Sequence, residues 1–295
     1  MNAFLFAWRN ADHLPTGVVR AAAGTLAWTA WATRAKPAVR LEENLARVTG
    51  LEGRALRRVG RRGMASVARY YAEVLELSRM TEEQVDARVR LDADEPMRAL
   101  LASEGAKIAV LGHNGNWDLA GAWASRNLIP VTAVAEVLEP REVFDQFVAV
   151  REQVGISVLG HEGSSTFREL IRLARGDRRL ICLLADRDLS GSGVATRMWG
   201  HEVKVAPGPG ALAAATGAML IPVMVRYERL HGEQRRRARA RWGVVLSFGP
   251  VIDPGDYPGQ DRVEAMTRAW TAWLGEQVAH HPEDWHMLQR FGWVA

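Results

Sequence analysis

The stretch Val110-Leu-Gly-His-Asn-Gly-Asn-Trp-Asp118 holds the densest set of groups able to do chemistry. An unperturbed histidine titrates near pH 6.5, so His113 can take up a proton at neutral pH and return it within one cycle. An apolar run precedes it, Gly112 permits a tight turn, and Asn114 and Asn116 suit the opening of a helix. That places His113 at the carboxyl end of a buried strand, where α/β folds gather their active sites. Residues five apart do not share a helix face. His113 stands ahead of the helix, however, so its ring can turn toward Asp118 in the first turn. A carboxylate on one ring nitrogen would fix the tautomer and leave the other nitrogen free as a base. On spacing alone a structural histidine explains the pattern equally well; the flanking strand, glycine and helix favour catalysis.

Competing chemistries lack their residues. There is no Gly-x-Ser-x-Gly elbow, and the one cysteine, Cys182, sits inside the apolar run Leu180-Ile-Cys-Leu-Leu184, where a thiolate is disfavoured. A single cysteine also excludes an internal disulfide and a cysteine-cluster zinc site, and suits a reducing compartment. The histidines show no ligand spacing, His280-His281 lying on a polar stretch, so no metal is expected. The Gly-Pro-Gly after Pro207 lacks the Lys-Ser/Thr of a nucleotide-binding loop.

The elements that must position these groups follow from periodicity. Residues 40–48 and 56–77 carry apolar side chains at threes and fours, among them Val67, Tyr70, Tyr71, Val74 and Leu75, and the first hundred residues read as helices. From residue 105 short apolar runs alternate with helical stretches. Strands are expected at 107–111, 131–134, 156–159, 180–184, 219–225 and 242–248, and helices at 117–124, 140–154, 165–174 and 263–278. The fold class is therefore α/β: N-terminal helices, then a central mixed, mainly parallel sheet with helices on both faces. With 48% hydrophobic residues and no linker or repeat, residues 1–295 are expected to form one domain: a segment 1–40, a helical part 41–104 and an α/β core 105–295.

His113-Asn-Gly-Asn-Trp-Asp118 resembles the histidine-x4-acid signature of the glycerolipid acyltransferases, in the form found in the lipid A late-acyltransferase superfamily. Further blocks resemble that superfamily in the same order: Ala135-Glu136 with the segment ending Arg151 to Gly155, then Leu184-Ala-Asp-Arg-Asp-Leu189, residues 209–222, and Pro282-Glu-Asp-Trp-His-Met287. Within it the resemblance is strongest to actinobacterial phosphatidylinositol mannoside acyltransferases. That resemblance implies transfer of a palmitoyl group from acyl-CoA, as co-substrate and without a cofactor, to a mannose hydroxyl at the cytoplasmic face of the membrane. It implies His113 as base, Asp118 as motif acid, and Glu136, Arg151, Arg187, Asp188 and His286 as lining of the substrate pocket. It also implies a carboxylate partner for the histidine in the third block, where members carry glutamate and this chain has the shorter Asp186; whether Asp118 or Asp186 orients His113 stays open. Other readings remain for these residues. Glu136 could cap a turn, Arg151 could pair on a helix surface, 186–188 could be a structural ion cluster, and His286 could be a core histidine.

Charge is placed unevenly. The net charge of +4 conceals Arg54, Arg57, Arg58, Arg61 and Arg62 in one cluster and Arg235, Arg236, Arg237, Arg239 and Arg241 in another. Such clusters attract polyanions, either nucleic acid or an anionic bilayer. The N-terminal part favours the bilayer. Residues 3–8 and 18–32 are too short or too interrupted to span a membrane, but they are rich in Trp and Ala and flanked by arginine (Trp8, Trp28, Trp31; Arg9, Arg20, Arg34), as interfacial helices are. A helix packing on its own domain is the plain alternative. Peripheral membrane contact without nucleic acid is therefore expected; another lipid acceptor, or less favourably a basic nucleic-acid-binding protein, is the rival.

Overall fold

The computed structural model describes residues 14–137, 139–161, 163–188 and 191–294. Residues 3–9 of the proposed interfacial segment, Trp8 and Arg9 among them, lie outside the described residues. Helices open the chain: α1 (Thr16–Ala32), α2 (Lys36–Thr49), α3 (Gly53–Leu77) and α4 (Glu82–Arg88). Strand and helix then alternate through β1 (Val89–Asp92), α5 (Glu95–Ala102), β2 (Ala106–Leu111), α6 (Trp117–Asn127), β3 (Val131–Glu136) and α7 (Arg141–Gln153). The series continues with β4 (Ile156–His161), α8 (Ser164–Ala174) and β5 (Arg179–Leu184). A hairpin of β6 (Val194–Met198) and β7 (His201–Val205) comes next, then α9 (Gly208–Thr216), β8 (Leu220–Arg229), α10 (Gly232–Ala238), β9 (Trp242–Phe248) and α11 (Arg262–His280).

Seven strands form one sheet in the order β1-β9-β8-β2-β5-β3-β4. The block from β8 to β4 is parallel throughout, β9 runs antiparallel to β8, and β1 lies parallel to β9. Every residue of β2 is buried, as a central strand covered on both faces must be. Successive side chains alternate between faces. Ile108 and Val110 join a core with α2, α3, α8, α9 and α11, while Ala109 and Leu111 join one with α4, α5 and α6. The mixed, mainly parallel sheet with helices on both faces is the architecture that periodicity implies.

Two differences have physical causes. Val89–Asp92, inside the stretch read as wholly helical, is a strand; at four residues it carries no alternation to read, and it exists by pairing with β9. The β6–β7 hairpin was likewise unexpected: its polar outer face leaves only Val194, Thr196, Met198, Val203 and Val205 buried.

Candidate active site

Register explains why the histidine meets an acid from a distant segment. Strands β2 and β5 are parallel neighbours with Leu111 opposite Leu184. Continuing two residues past each strand end brings His113 level with Asp186, about one strand spacing of ~4.8 Å away. Asp186 Oδ1 lies 2.6 Å from His113 Nδ1, its Oδ2 accepts the His113 backbone N–H at 2.9 Å, and the Trp285 indole N–H donates to the same Oδ2 at 2.9 Å. Asp186 is thus a buried carboxylate with three donors around it, and its pair with His113 leaves the imidazole Nε2 as the nitrogen free to exchange a proton. Burial by itself would lower the His113 pKa, but the charge and hydrogen bond of Asp186 outweigh it and hold the pKa above 6.5. Burial likewise pushes Asp186 up, and His113 more than reverses this, so the carboxyl stays below its usual range.

The loop carrying His113 admits little change. A Cβ on Gly112 would stand 2.4 Å from Asn114 Oδ1 and 3.0 Å from Asp186 Oδ2. Gly115 has φ +57 and would press a Cβ to 2.4 Å from the Val225 carbonyl oxygen, so only glycine fits. Asn116 caps α6 by accepting the Leu119 N–H at 2.9 Å, and its amide donates to Glu73, which also accepts from Tyr227 and pairs with buried Arg88. A strap from the far end of the chain clamps the loop: the His286 N–H donates to the His113 carbonyl at 2.7 Å and the Gly115 N–H to the Asp284 carbonyl at 2.9 Å.

Asp118 has other partners than the histidine ring. It points from the first turn of α6 toward α3 and α7, where it accepts Arg151 Nε at 2.6 Å and the Tyr70 hydroxyl at 2.9 Å. Burial would weaken the Arg151 charge, but Asp118 holds it, and the Tyr70 phenol is pushed up first by burial and then by Asp118. Of the two carboxylates left open by sequence, the structure brings Asp186 to His113, and the shorter arm reaches.

A cavity of about 530 Å³ opens beside this pair. His113, Asp118, Glu136, Arg151, Arg187 and Asp188 line it, with Arg187 3.9 Å from Glu136. Asp188 accepts the Gly193 N–H at 2.7 Å and so shapes the loop after β5. The rest of the wall is apolar. Ala109, Ala120, Gly121 and Ala124 leave the space that Leu180, Val223 and Leu246 enclose between sheet and α6. Cys182 also lines it, and burial pushes its thiol up to about 12, which keeps it protonated. His286 is placed differently from the expectation. It stands off the cavity lining, beneath the loop, with Nε2 3.0 Å from Ser66 Oγ, and burial together with the charges of Arg69 and His113 lowers its pKa to about 3. Ser66 donates to Asp284, whose carboxyl burial raises to about 6. His286 is therefore a neutral packing and hydrogen-bonding group.

Sequence reasoning missed Tyr70, Ser66, Asp284 and Trp285. Tyr70 looked like one more apolar position of α3. Asp284 and Trp285 lay inside a block already noticed, whose histidine drew the attention. Among the described residues there is no cluster of His, Cys, Asp or Glu able to hold a metal ion, and no helix is long and apolar enough to cross a membrane.

The family described as bacterial lipid A biosynthesis acyltransferase matches residues 1–291 of the chain. A phosphatidylinositol mannoside acyltransferase from Mycolicibacterium smegmatis is 36% identical over 98% of this chain and 89% of its own length. One of that name from Mycobacterium tuberculosis is 34% identical over 97% of this chain and 86% of its own length. The crystal structure of the 1-acyl-sn-glycerophosphate acyltransferase PlsC from Thermotoga maritima matches with a TM-score of 0.38 and 14% identity, over 75% of this chain and 83% of that one, which is too loose to argue from.

Proposed function

The chain belongs to the bacterial lipid A biosynthesis acyltransferase family, and on that premise we propose that it moves a palmitoyl-length acyl group from acyl-CoA to a mannose hydroxyl of a phosphatidylinositol mannoside. The observation that carries this reading is the His113–Asp186 pair beside a largely apolar cavity that His113 lines. The imidazole Nε2 takes the acceptor hydroxyl proton as the oxygen attacks the thioester carbonyl. Asp186 stabilises the resulting imidazolium through Nδ1. The tetrahedral intermediate then expels the CoA thiolate, which recovers the proton from Nε2, leaving an ester and a free thiol. No metal and no covalent enzyme intermediate are needed. Arg187 faces the same space and supplies positive charge for the oxyanion or a donor phosphate. Arg151 is committed to Asp118 and walls the site.

A cavity of this size lies within the ~300–1,000 Å³ span of small-molecule sites. Each buried methylene contributes about 0.8 kcal/mol, so a long chain binds by its tail while the thioester stays beside His113. Action at the cytoplasmic face of an anionic membrane, as a peripheral enzyme, is part of the same proposal. It is supported by α1, whose outer face exposes Leu26 and Trp28 at 71% and 58%, beside Leu14 and Val18, while its one charged residue, Arg20, turns inward to Glu76.

The test is transfer from palmitoyl-CoA to purified phosphatidylinositol mannoside, with products read by mass spectrometry. His113→Ala is expected to fold normally and to lose at least ~100-fold in rate, the usual contribution of a positioned base. Near-normal turnover in that variant would overturn the mechanism. Acylation of lysophospholipid in preference to mannoside would move the acceptor assignment.

A further inference from the structure

A second cavity, of about 1030 Å³, shares no lining residue with the first. Helix α3 separates them: Tyr70 and Tyr71 face the candidate active site, while Arg69 and Glu73 face the second cleft. Its remaining wall comes from Gly17 and Arg20 of α1, from Gly232, Arg235, Arg236, Arg239, Ala240 and Arg241 on and after α10, and from Trp242. Six arginines therefore converge on one concavity with a single carboxylate, Glu73, already engaged by Arg88, Asn116 and Tyr227. Arg20 is paired with Glu76 and Arg236 with Glu233. Arg69, Arg235, Arg239 and Arg241 have no carboxylate partner among the described residues.

Arg69 is also held in place. Its guanidinium lies 3.9 Å from the Trp242 ring centroid and 4.4 Å from that of Tyr227, so two aromatic rings hold it at the cleft wall. Arg239 adopts φ +47, a left-handed conformation uncommon outside glycine, which the local fold must enforce. Like charges gathered in a concavity repel one another until an anion joins them. That every cation here is arginine selects the anion, because the planar guanidinium fork matches the oxygens of a phosphate two at a time.

We propose that this cleft binds the phosphate of an anionic phospholipid headgroup, anchoring the protein to a lipid it does not acylate at that position. The cleft shares α1 with the exposed apolar face of Val18, Leu26 and Trp28, and that arrangement points to a lipid rather than a soluble phosphate. Apolar side chains enter the bilayer boundary while arginines on the neighbouring side meet the headgroup layer. The inference rests on the membrane-docking part of the proposed function but not on His113 or on any acyl transfer.

Binding of the full chain is measured to phosphatidylcholine vesicles doped with phosphatidylinositol, and to vesicles carrying the same surface charge as oleate. Soluble glycerophosphoinositol and CoA serve as competitors. The wild-type protein is expected to prefer the phosphatidylinositol vesicles. Arg239→Gln/Arg241→Gln should reduce that preference about tenfold or more. The charge-matched Arg58→Gln/Arg61→Gln should bind all anionic vesicles less well but keep the preference ratio, and melting temperatures check that both variants fold. Glycerophosphoinositol should displace the protein. Equal wild-type binding to both vesicle types overturns the proposal, as does an equal fall of the ratio in both variants. Competition by CoA but not glycerophosphoinositol also overturns it, assigning the cleft to a soluble phosphate. Because the readout is binding, a kinetically silent His113→Ala would remove the transfer mechanism and leave this result standing.

Discussion

At the scale of single residues, the His113–Asp186 pair ties rate and stability to pH in opposite ways. The proposed mechanism needs a neutral imidazole, and Asp186 raises its pKa, so the acid limb of the rate profile is expected above pH 6.5. In Asp186→Asn the charged form loses its partner, so the acid limb should move to lower pH while turnover falls more than donor binding changes. A profile that stays in place with unchanged turnover would show that Asp186 is structural. Stability runs the other way. A histidine whose pKa rises on folding stabilises fully below about 6.5, and that contribution is lost as pH climbs through the folded value. A depressed carboxylate stabilises above about 3.8 and is lost as pH falls through its folded value. The pair therefore holds the fold best between those values, on the acid side of its best catalysis. Asp118→Asn should act on folding, since it leaves Arg151 buried with half its partner; a loss of about 3–5 kcal/mol is the usual result of breaking such a pair. Thermal and denaturant melts of the two variants separate these roles. His113 was legible in sequence because strand, glycine and helix start are local signals. Its carboxylate partner was not, since only the β2–β5 register decides between Asp118 and Asp186.

At the scale of elements, α6 lines the cavity along its length. Its first turn carries Asp118, and its inner face carries Ala120, Gly121 and Ala124, small residues where packing would otherwise put larger ones. Ala124→Leu should fill part of the slot and shift the donor preference to shorter chains, with activity on an eight- to ten-carbon thioester retained. Each methylene that no longer fits forfeits about 0.8 kcal/mol of burial, so short donors lose less than long ones. A flat profile across donors, or an unchanged optimum in the variant, would place the acyl chain elsewhere. The alternation of strands and helices was readable because β2, β5 and β8 are apolar runs bounded by polar turns. Strand β1 was not, because four residues make no pattern and the pairing that creates them lies in β9.

At the scale of the whole molecule, the arginines divide by what surrounds them. Arg57 turns to Glu42 and stacks on Trp31, Arg237 meets Glu83, and Arg34 meets Glu42, whereas Arg235, Arg239 and Arg241 of the second cleft have no carboxylate partner among the described residues. Composition showed the excess but not this sorting, because carboxylate partners come from other helices. Leu26→Ser/Trp28→Ser should leave the melting temperature nearly unchanged and lower partition onto anionic vesicles by tenfold or more, given about 1.5–3 kcal/mol for one large apolar side chain. Raising salt should weaken the wild type as well. Binding indifferent to both changes would leave α1 as a helix packed only on its own protein. The strap 284–286 has a further consequence, in time rather than in space. It grips the histidine loop with residues made long after that loop, and Asn44 anchors the chain just beyond it by donating to the Met287 and Gln289 carbonyls. The loop geometry thus depends on long-range contacts, which are expected to close late and open early. On gentle heating, activity should vanish before the sheet melts; under the proposed mechanism a half-made or fraying chain would then carry an idle histidine, unable to squander thioesters on water.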